Sequence, residues 1–541
     1  MDLEYTVPEK SQLEPNDVDA EQTELLADSD SYGSIPAPTD ERAKIEALIA
    51  LGLPGWDPAE EAVVTKKLDV RVMIWACTMF FSLQLVRNNI QNAISADFLI
   101  DANLSLSQYN IGQSVFLAFF LLWEIPSQAL VRRFGPEVWL PVLMTLWSIM
   151  SMLQVLVKGS GFFIFTRAII GSCEGGFVPG LSFWLSSFYK SNELALRYSW
   201  VWSTQSGTNV IGALLASGFI QIGGPLRGWQ WLFLLEGIIC LIIGVSSFFM
   251  MPSFGRHLPD NAIVRVANTF TARESAIVRL RIALDDPSKA RQHERVVMNA
   301  GTRSVGSAVR AVTSALTDKY LLPIYILGFV AFVPSQTGNY YLTITLRGLG
   351  FTQTVTNLLT IPYAVSNITM TIIFSRLADK RRQRWLFCVL AAFWMLPPLF
   401  VLEFLPDPAV GRWTRFILLT AIMGFPYYHP ILVSWISANA NSADRRSLAF
   451  AIYNIFVQAG NILAANVYTE SDAPFYHRGN AVLIGLNVLS IIFILSIRSY
   501  YNRENKLRRA KWDALDEKQQ LDYLQSTTDV GNDRINFTLS T

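Results

Sequence analysis

Apolar runs of about twenty residues, the length a helix needs to cross a bilayer, begin near residues 70, 110, 138, 161, 197, 230, 320, 353, 384, 413, 445 and 479. Each predicts a membrane helix. The runs fall as six and six, divided by a polar stretch from about 253 to 318 that is far longer than any other connection. The expected fold class is an all-α membrane protein with twelve transmembrane helices in two six-helix bundles, residues 69–252 and 319–499, joined by a 253–318 linker. Within that linker, Thr271-Ala272-Arg273-Glu274 has the form of a capping box and leads into SAIVRLRIAL, whose apolar residues recur at helical spacing. A helix lying on the cytosolic face is expected there.

Composition sharpens this picture. Hydrophobic residues make up 51% of the chain and charged residues 16%, too apolar a balance for a soluble protein of this length. The net charge of +1 by itself says nothing about nucleic acid or an acidic substrate, and no nucleic-acid partner is expected. Residues 1–68 are acidic and contain Ser and Pro without an apolar core, which predicts a disordered cytosolic tail and not a cleavable signal. Residues 500–541 read as a second cytosolic tail. Cys77, Cys173, Cys240 and Cys388 all lie inside apolar runs with no CxxC spacing, so neither a metal site nor a disulfide framework is expected.

The placement of Lys and Arg sets the orientation. With a cytosolic N-terminus the short inner loops collect Arg132, Arg133, Lys190, Arg197, Arg376, Lys380, Arg381, Arg382, Arg384, Arg445 and Arg446, while the outer loops hold scattered single charges. Both termini are then cytosolic. The first outer loop contains Asn103-Leu104-Ser105, a glycosylation acceptor sequence on the correct side.

Polar residues inside the spans are the candidate chemistry, because an arginine at membrane depth costs about 2.5–3.5 kcal/mol on insertion scales. Arg87 stands in the first span with Asn88, Asn89 and Asn92 around it; it either faces a cavity or snorkels to the outer surface. Arg167 and Glu174 share one face of the fourth span about two turns apart, either as an anion and proton site or as a structural pairing between helices. Gly171, Gly175, Gly176 and Pro179 beside them permit close approach and a bend. Glu124 lies nearer the cytosolic end of the second span and is expected to pair with the basic loop there, in preference to substrate. Asn454, Gln458 and Asn461 share a face of the eleventh span, as cavity wall or as interhelical glue. His429, beside two tyrosines, reads better as a structural residue than as a proton shuttle.

A weak repeat links the halves, since QALVRRFGPE (128–137) and SRLADKRRQR (375–384) align at equivalent places. In the second copy Asp379 with the cations beyond it suggests a charge-relay latch between neighbouring helices; in the first, Arg132 stands where the aspartate should be, followed by Arg133. A plainer reading is that the basic residues only fix topology.

The stretches RNNIQNA (87–93), EIPSQALVRRFGPEVWLP (124–141), TRAIIGSCEGGFVPG (166–180), GWQWLFLLEG (228–237), LTDKYLLP (316–323), NLLTIPY (357–363) and VQAGNILAANVY (457–468) resemble the anion:cation symporter family of the major facilitator superfamily, in particular its fungal allantoate permease branch. The resemblance implies two six-helix bundles with alternating access at the plasma membrane, or at the vacuole or another internal membrane, in a monomer. It implies import of a small organic or sulfur-containing anion (sulfonate, sulfate-like, carboxylate, ureide or vitamin) driven by the proton gradient, with no cofactor. Arg87 and Arg167 would hold the anion, with Asn88, Asn92, Asn454 and Gln458 beside them, and Glu174 would carry the proton. Asp379, Arg132, Arg133 and Glu124 would serve the gate. The chain departs from the family at Val86, where an acid usually precedes the arginine, so uncoupled facilitated diffusion is the alternative. A channel is disfavoured by the two-half plan, and an enzyme by the lack of a metal cluster or activated nucleophile. A non-transporting nutrient sensor on the same fold is the rival of another class.

Overall fold

The computed structural model describes residues 55–94, 98–252, 270–285, 305–338, 346, 353–404, 411–440, 443–464, 466–468, 476–527 and 531–541. Before the linker lie α1 (Pro58–Leu68), α2 (Ile74–Ile94), α3 (Phe98–Asp101), α4 (Leu106–Phe134), α5 (Pro136–Leu153), α6 (Ser160–Ser186), α7 (Leu194–Ile220) and α8 (Gly228–Met250). The linker contributes α9 (Ala272–Asp285) and α10 (Val305–Leu316). After it come α11 (Leu322–Ala331), α12 (Gln353–Arg381), α13 (Arg384–Phe404), α14 (Arg412–Met423), α15 (His429–Ala440), α16 (Ala443–Ala464), α17 (His477–Asp513) and α18 (Glu517–Ser526).

Among the described residues, eight helices are long and apolar enough to cross a membrane: the continuous Pro58–Ile90 stretch, α4, α5, α6, α8, α13, α16 and α17. Helices α7 and α12, with 27 and 29 residues, have the length but carry Ser, Thr, Gln and Asn along their course. The span expected from residue 413 is broken into α14 and α15 at GFPYY, where Pro426 removes a backbone donor. The opened backbone is bonded from α12: Asn367 Nδ2 donates to the Phe425 carbonyl at 2.9 Å, and Tyr427 N donates to Thr371 Oγ1 at 2.9 Å.

Helices extend into both segments expected as tails. Helix α1 starts inside the expected N-terminal tail because its start signals are complete: Asp57 accepts from Ala59 N, Pro58 opens the helix, and Glu60 and Glu61 fill the first turn. At the other end α17 runs on to Asp513 and α18 follows. The linker helix α9 forms where expected, with Thr271 N donating to Glu274 Oε2 at 2.7 Å and Glu274 N to Thr271 Oγ1 at 3.2 Å.

Helix α9 is fastened to α1 and to the α6–α7 connection. Lys67 meets Glu274 at 2.7 Å, Arg273 meets Glu60 at 2.6 Å, and the fully buried Arg281 donates to both oxygens of Glu193 at 3.1 Å and to the Phe188 carbonyl. The Lys67 hydrogen bond holds the Glu274 carboxyl below the usual 4.5. Depressed carboxyls contribute stability above their unfolded value and lose it as pH falls through the folded one. Hydrogen-exchange protection of 272–285, corrected for intrinsic rate, is therefore expected to fall as pH drops from 6 to below 4.5, and Glu274→Gln should flatten that fall.

Two seams join the helices before the linker to those after it: α7 packs on α12 and α15, and α16 packs on α4 and α6. Within the first group, α4 and α6 form the most extensive helix pair among the described residues. Gly171 and Gly175 of α6 lie against the backbone carbonyls of Phe116 and Phe120 on α4, with no room for a Cβ. This close pair positions the site.

Candidate functional site

Helix α6 presents Arg167 and Glu174 on one face, as their spacing requires, but the two do not share a hydrogen bond. Glu174 is fully buried, and its Oε2 accepts from Arg87 Nε of α2 at 2.7 Å. Its Oε1 has no hydrogen-bond partner. Arg167, 4% exposed, donates through Nη2 to Gln113 Oε1 at 2.7 Å, while its Nε has no partner. The first and fourth spans therefore meet as a cross-helix ion pair, and Arg87 does not snorkel outward.

Both guanidinium groups lie over aromatic faces of α4. Arg87 sits 5.2 Å from the Phe120 ring centroid and Arg167 sits 4.2 Å from that of Phe116. Gln113, Phe116, Phe120 and Glu124 follow one another by three, four and four residues, one stripe of an α-helix. The stripe faces Gly171 and Gly175, so the glycines that let α4 approach also set the aromatic floor beneath the two cations. Sequence reading missed Gln113, Phe116 and Phe120; the spacing that would have found them was present, but apolar rings in an apolar run carry no contrast.

Glu124 corrects an expectation. It is wholly buried, away from the basic loop expected to pair with it, and its Oε1 accepts from Asn454 Nδ2 of α16 at 2.6 Å. The bond crosses a seam. Its Oε2 has no hydrogen-bond partner, and Arg87 lies within electrostatic reach. The one-turn offset from Phe120 places Glu124 in the same stripe, so the burial of its neighbours carries it inward.

The other candidates divide. Asn88 donates to Asn209 of α7 at 2.9 Å, and Gln458 accepts from Asn461 on its own helix at 2.8 Å. The Asn92 side chain lies outside the described residues. Val86, where the family's acid usually stands, is buried in the apolar core at 1% exposure. His429 is packed against Trp202, Tyr427 and Tyr453, with Tyr453 Oη 3.0 Å from Nδ1. Asn103 is exposed at a turn with φ 52°, and Ser105 of the same acceptor sequence N-caps α4.

On the face that carries α9, Asp379 accepts from Leu196 N at 2.8 Å and Ala195 N at 3.4 Å. These are unsatisfied donors of the first turn of α7, where a carboxylate also meets the positive end of the helix dipole. Arg384, 6% exposed, donates to the Ser191 carbonyl and to Ser434 Oγ. Asp379 and Arg384 thus both grip residues 191–196 across the seam. In the first copy of the repeat, Arg132 Nε donates to the Gln128 carbonyl of its own helix and Arg133 lies over Phe134.

The sequence profile described as Major Facilitator Superfamily matches residues 76–465. A Saccharomyces cerevisiae protein named as an uncharacterized transporter, YIL166C, is 34% identical over 99% of this chain and 98% of its own length. The high-affinity nicotinic acid transporter of the same yeast is 23% identical over 86% of this chain and 83% of its own. Two solved transporters share the fold: FucP in the outward conformation, with a TM-score of 0.57 at 13% identity over 79% of this chain and 98% of its own, and the proton:xylose symporter XylE, with 0.55 at 16% identity over 80% and 96%. With the helices meeting along two seams and a match of this extent, the chain belongs to the Major Facilitator Superfamily and is a multi-pass membrane transporter.

Proposed function

We propose that this protein is a proton-coupled importer of a small organic anion, working by alternating access between two bundles of six spans each, with both termini in the cytosol of a plasma-membrane monomer. The Arg87–Glu174 pair carries the reading. Arg87 and Arg167 bring two positive charges to a buried cluster, and Glu124 and Glu174 bring two negative ones. A bound monoanion that takes Arg87 leaves the cluster one charge negative in a low-dielectric setting, where charge imbalance is expensive. A proton on Glu174 restores neutrality. Anion and proton then bind better together than apart, which is what symport requires.

The missing acid at Val86 argues for uniport, but the second carboxylate near Arg87, Glu124, supplies an acid from another helix. Among the substrate classes implied by the resemblance, a carboxylate is favoured by the relative named for nicotinic acid and by the planar arginine forks, which match a carboxylate in bidentate geometry. Asp379 closes the cytosolic side by capping α7 and must let go as the bundles rock.

The test is uptake into proteoliposomes of labelled nicotinate, an alkyl sulfonate, sulfate and allantoate, with and without an inward proton gradient. One of these is expected to accumulate against its gradient only when the outside is acidic. Uptake that ignores the gradient would leave a uniporter, and no uptake from the whole panel would leave a sensor.

A further inference from the structure

Residues 531–541 are bonded into the α9-bearing face along most of their length. Asn532 is completely buried; its Nδ2 donates to Asp318 Oδ2 at 2.9 Å and its Oδ1 accepts from Arg445 Nη1 at 2.7 Å. Arg508 Nη1 of α17 donates to the Phe537 carbonyl at 2.9 Å and to that of Arg534 at 3.3 Å. Leu539, 2% exposed, exchanges two 2.8 Å bonds with the Asn505 side chain, which gives and receives as a neighbouring strand would. Asn439 of α15 does the same for Ser540 at 2.7 and 3.1 Å, and Trp435 Nε1 donates to the Ser540 carbonyl at 2.7 Å.

This is how proteins bind extended peptides: main-chain bonds hold the segment and pockets for single side chains choose it. Here Asn505 and Asn439 provide the ladder, a buried polar pocket takes Asn532, and an apolar one takes Leu539. The groove has a further connection. Arg384, which donates to Ser540 Oγ, also donates to the Ser191 carbonyl across the seam, beside the Asp379 cap on α7. Ser191 in turn donates to Asp285 of α9 through both N and Oγ at 2.8 Å.

We infer that α13, α15 and α17 form a peptide-binding groove whose ligand is residues 531–541 of the same chain, and that its occupancy holds this face of the transporter closed through Arg384. The strap positions the guanidinium, and the guanidinium grips the α6–α7 connection. By linkage, whatever opens the seam loosens the strap, and removing the strap favours opening. That the strap brakes transport rests on the transport reading above; its docking and its link to the seam do not.

The experiment measures maleimide labelling of single introduced cysteines in the detergent-solubilised full chain, in a background where Cys77, Cys173, Cys240 and Cys388 are all replaced by alanine. Leu539→Cys should react at least tenfold more slowly than Thr538→Cys, which is exposed. Ala195→Cys, buried at the Asp379 cap, should react at least about fivefold faster when the chain ends at residue 530, the low end of ordinary coupling energies. Asn505→Ala and Asn439→Ala should reproduce that rise in the full-length chain, keeping the test decisive if truncation disturbs folding. A synthetic 531–541 peptide at millimolar concentration, the effective concentration of a short tether, should reverse the rise where a scrambled peptide does not. Equal labelling of Leu539→Cys and Thr538→Cys would overturn the docking. Unchanged reactivity of Ala195→Cys in both truncated and point variants would overturn the link to the seam. If no anion is taken up by any variant while the labelling behaves as expected, the transport reading fails and the strap stands.

Discussion

Arg87→Ala is expected to abolish anion uptake and to destabilise the folded protein by about 3 kcal/mol, whereas Arg87→Ala with Glu174→Gln should recover most of the stability and none of the uptake. The reasoning starts from burial: Glu174 is wholly inside the protein, and its one hydrogen bond is the 2.7 Å contact to Arg87 Nε. Removing one member of a buried pair costs about 3–5 kcal/mol because the other stays charged and unpartnered. The lower end applies here, since Arg87 keeps a quarter of its side chain exposed and the abandoned carboxyl can take up a proton. Replacing Glu174 as well removes the stranded charge. Thermal unfolding in detergent separates the two variants, and labelled-anion uptake shows neither working. Glu174→Gln alone is the informative third case: with the anion still held by Arg87 and Arg167, exchange across the membrane should persist while accumulation driven by a proton gradient is lost. Loss of exchange in Glu174→Gln would mean that the carboxylate builds the site and does not carry the proton.

How legible this was from sequence depended on contrast. The membrane helices stood out because long apolar runs have no other common use, and the α9 cap stood out because Thr271 and Glu274 form a local signal. Arg87, Arg167 and Glu174 were visible as charges where charge is expensive. Their pairing was not, because spacing along α6 puts Arg167 and Glu174 on one face but says nothing about which helix packs against it; that Glu174 meets α2 is decided by the whole bundle. Glu124 was misplaced for a related reason: its distance from the Arg132–Arg133 loop in sequence suggested a partner there, while the actual partner, Asn454, is 330 residues away. The strap at 531–541 was invisible because INFTLST has ordinary polar composition, and its bonds run to side chains on three separate helices. Start signals at Asp57 and Pro58 were readable and were overlooked beside an acidic, low-contrast tail.

Gly175→Ala should cost more function than its size suggests, and Gly161→Ala on the same helix should cost none. In a membrane, helices associate through close packing and not through exclusion from water, so small residues at the contact set the distance between backbones. A Cβ at Gly175 would overlap the Phe120 carbonyl, and one at Gly171 the Phe116 carbonyl. Neither neighbour is a flexible side-chain tip; each is the backbone of α4, so relief requires the whole helix to move. Overpacking of this kind costs about 1–3 kcal/mol. The movement carries the Phe120 and Phe116 rings from beneath Arg87 and Arg167, and displaces Glu124 from Asn454, because all lie on the same stripe. A Cβ at Gly161 meets nothing within 4 Å, and alanine there is the better helix former by up to about 1 kcal/mol. The expected pattern is therefore a protein with Gly175→Ala that still reaches the membrane and unfolds at a modestly lower temperature, yet takes up anion at least tenfold more slowly. Gly171→Ala with Gly175→Ala should be worse than either alone, and Gly161→Ala should match the parent in uptake and unfold at the same or a slightly higher temperature. Should Gly175→Ala transport normally, the aromatic floor is not what holds the two arginines in working position, and the close approach of α4 and α6 serves packing alone.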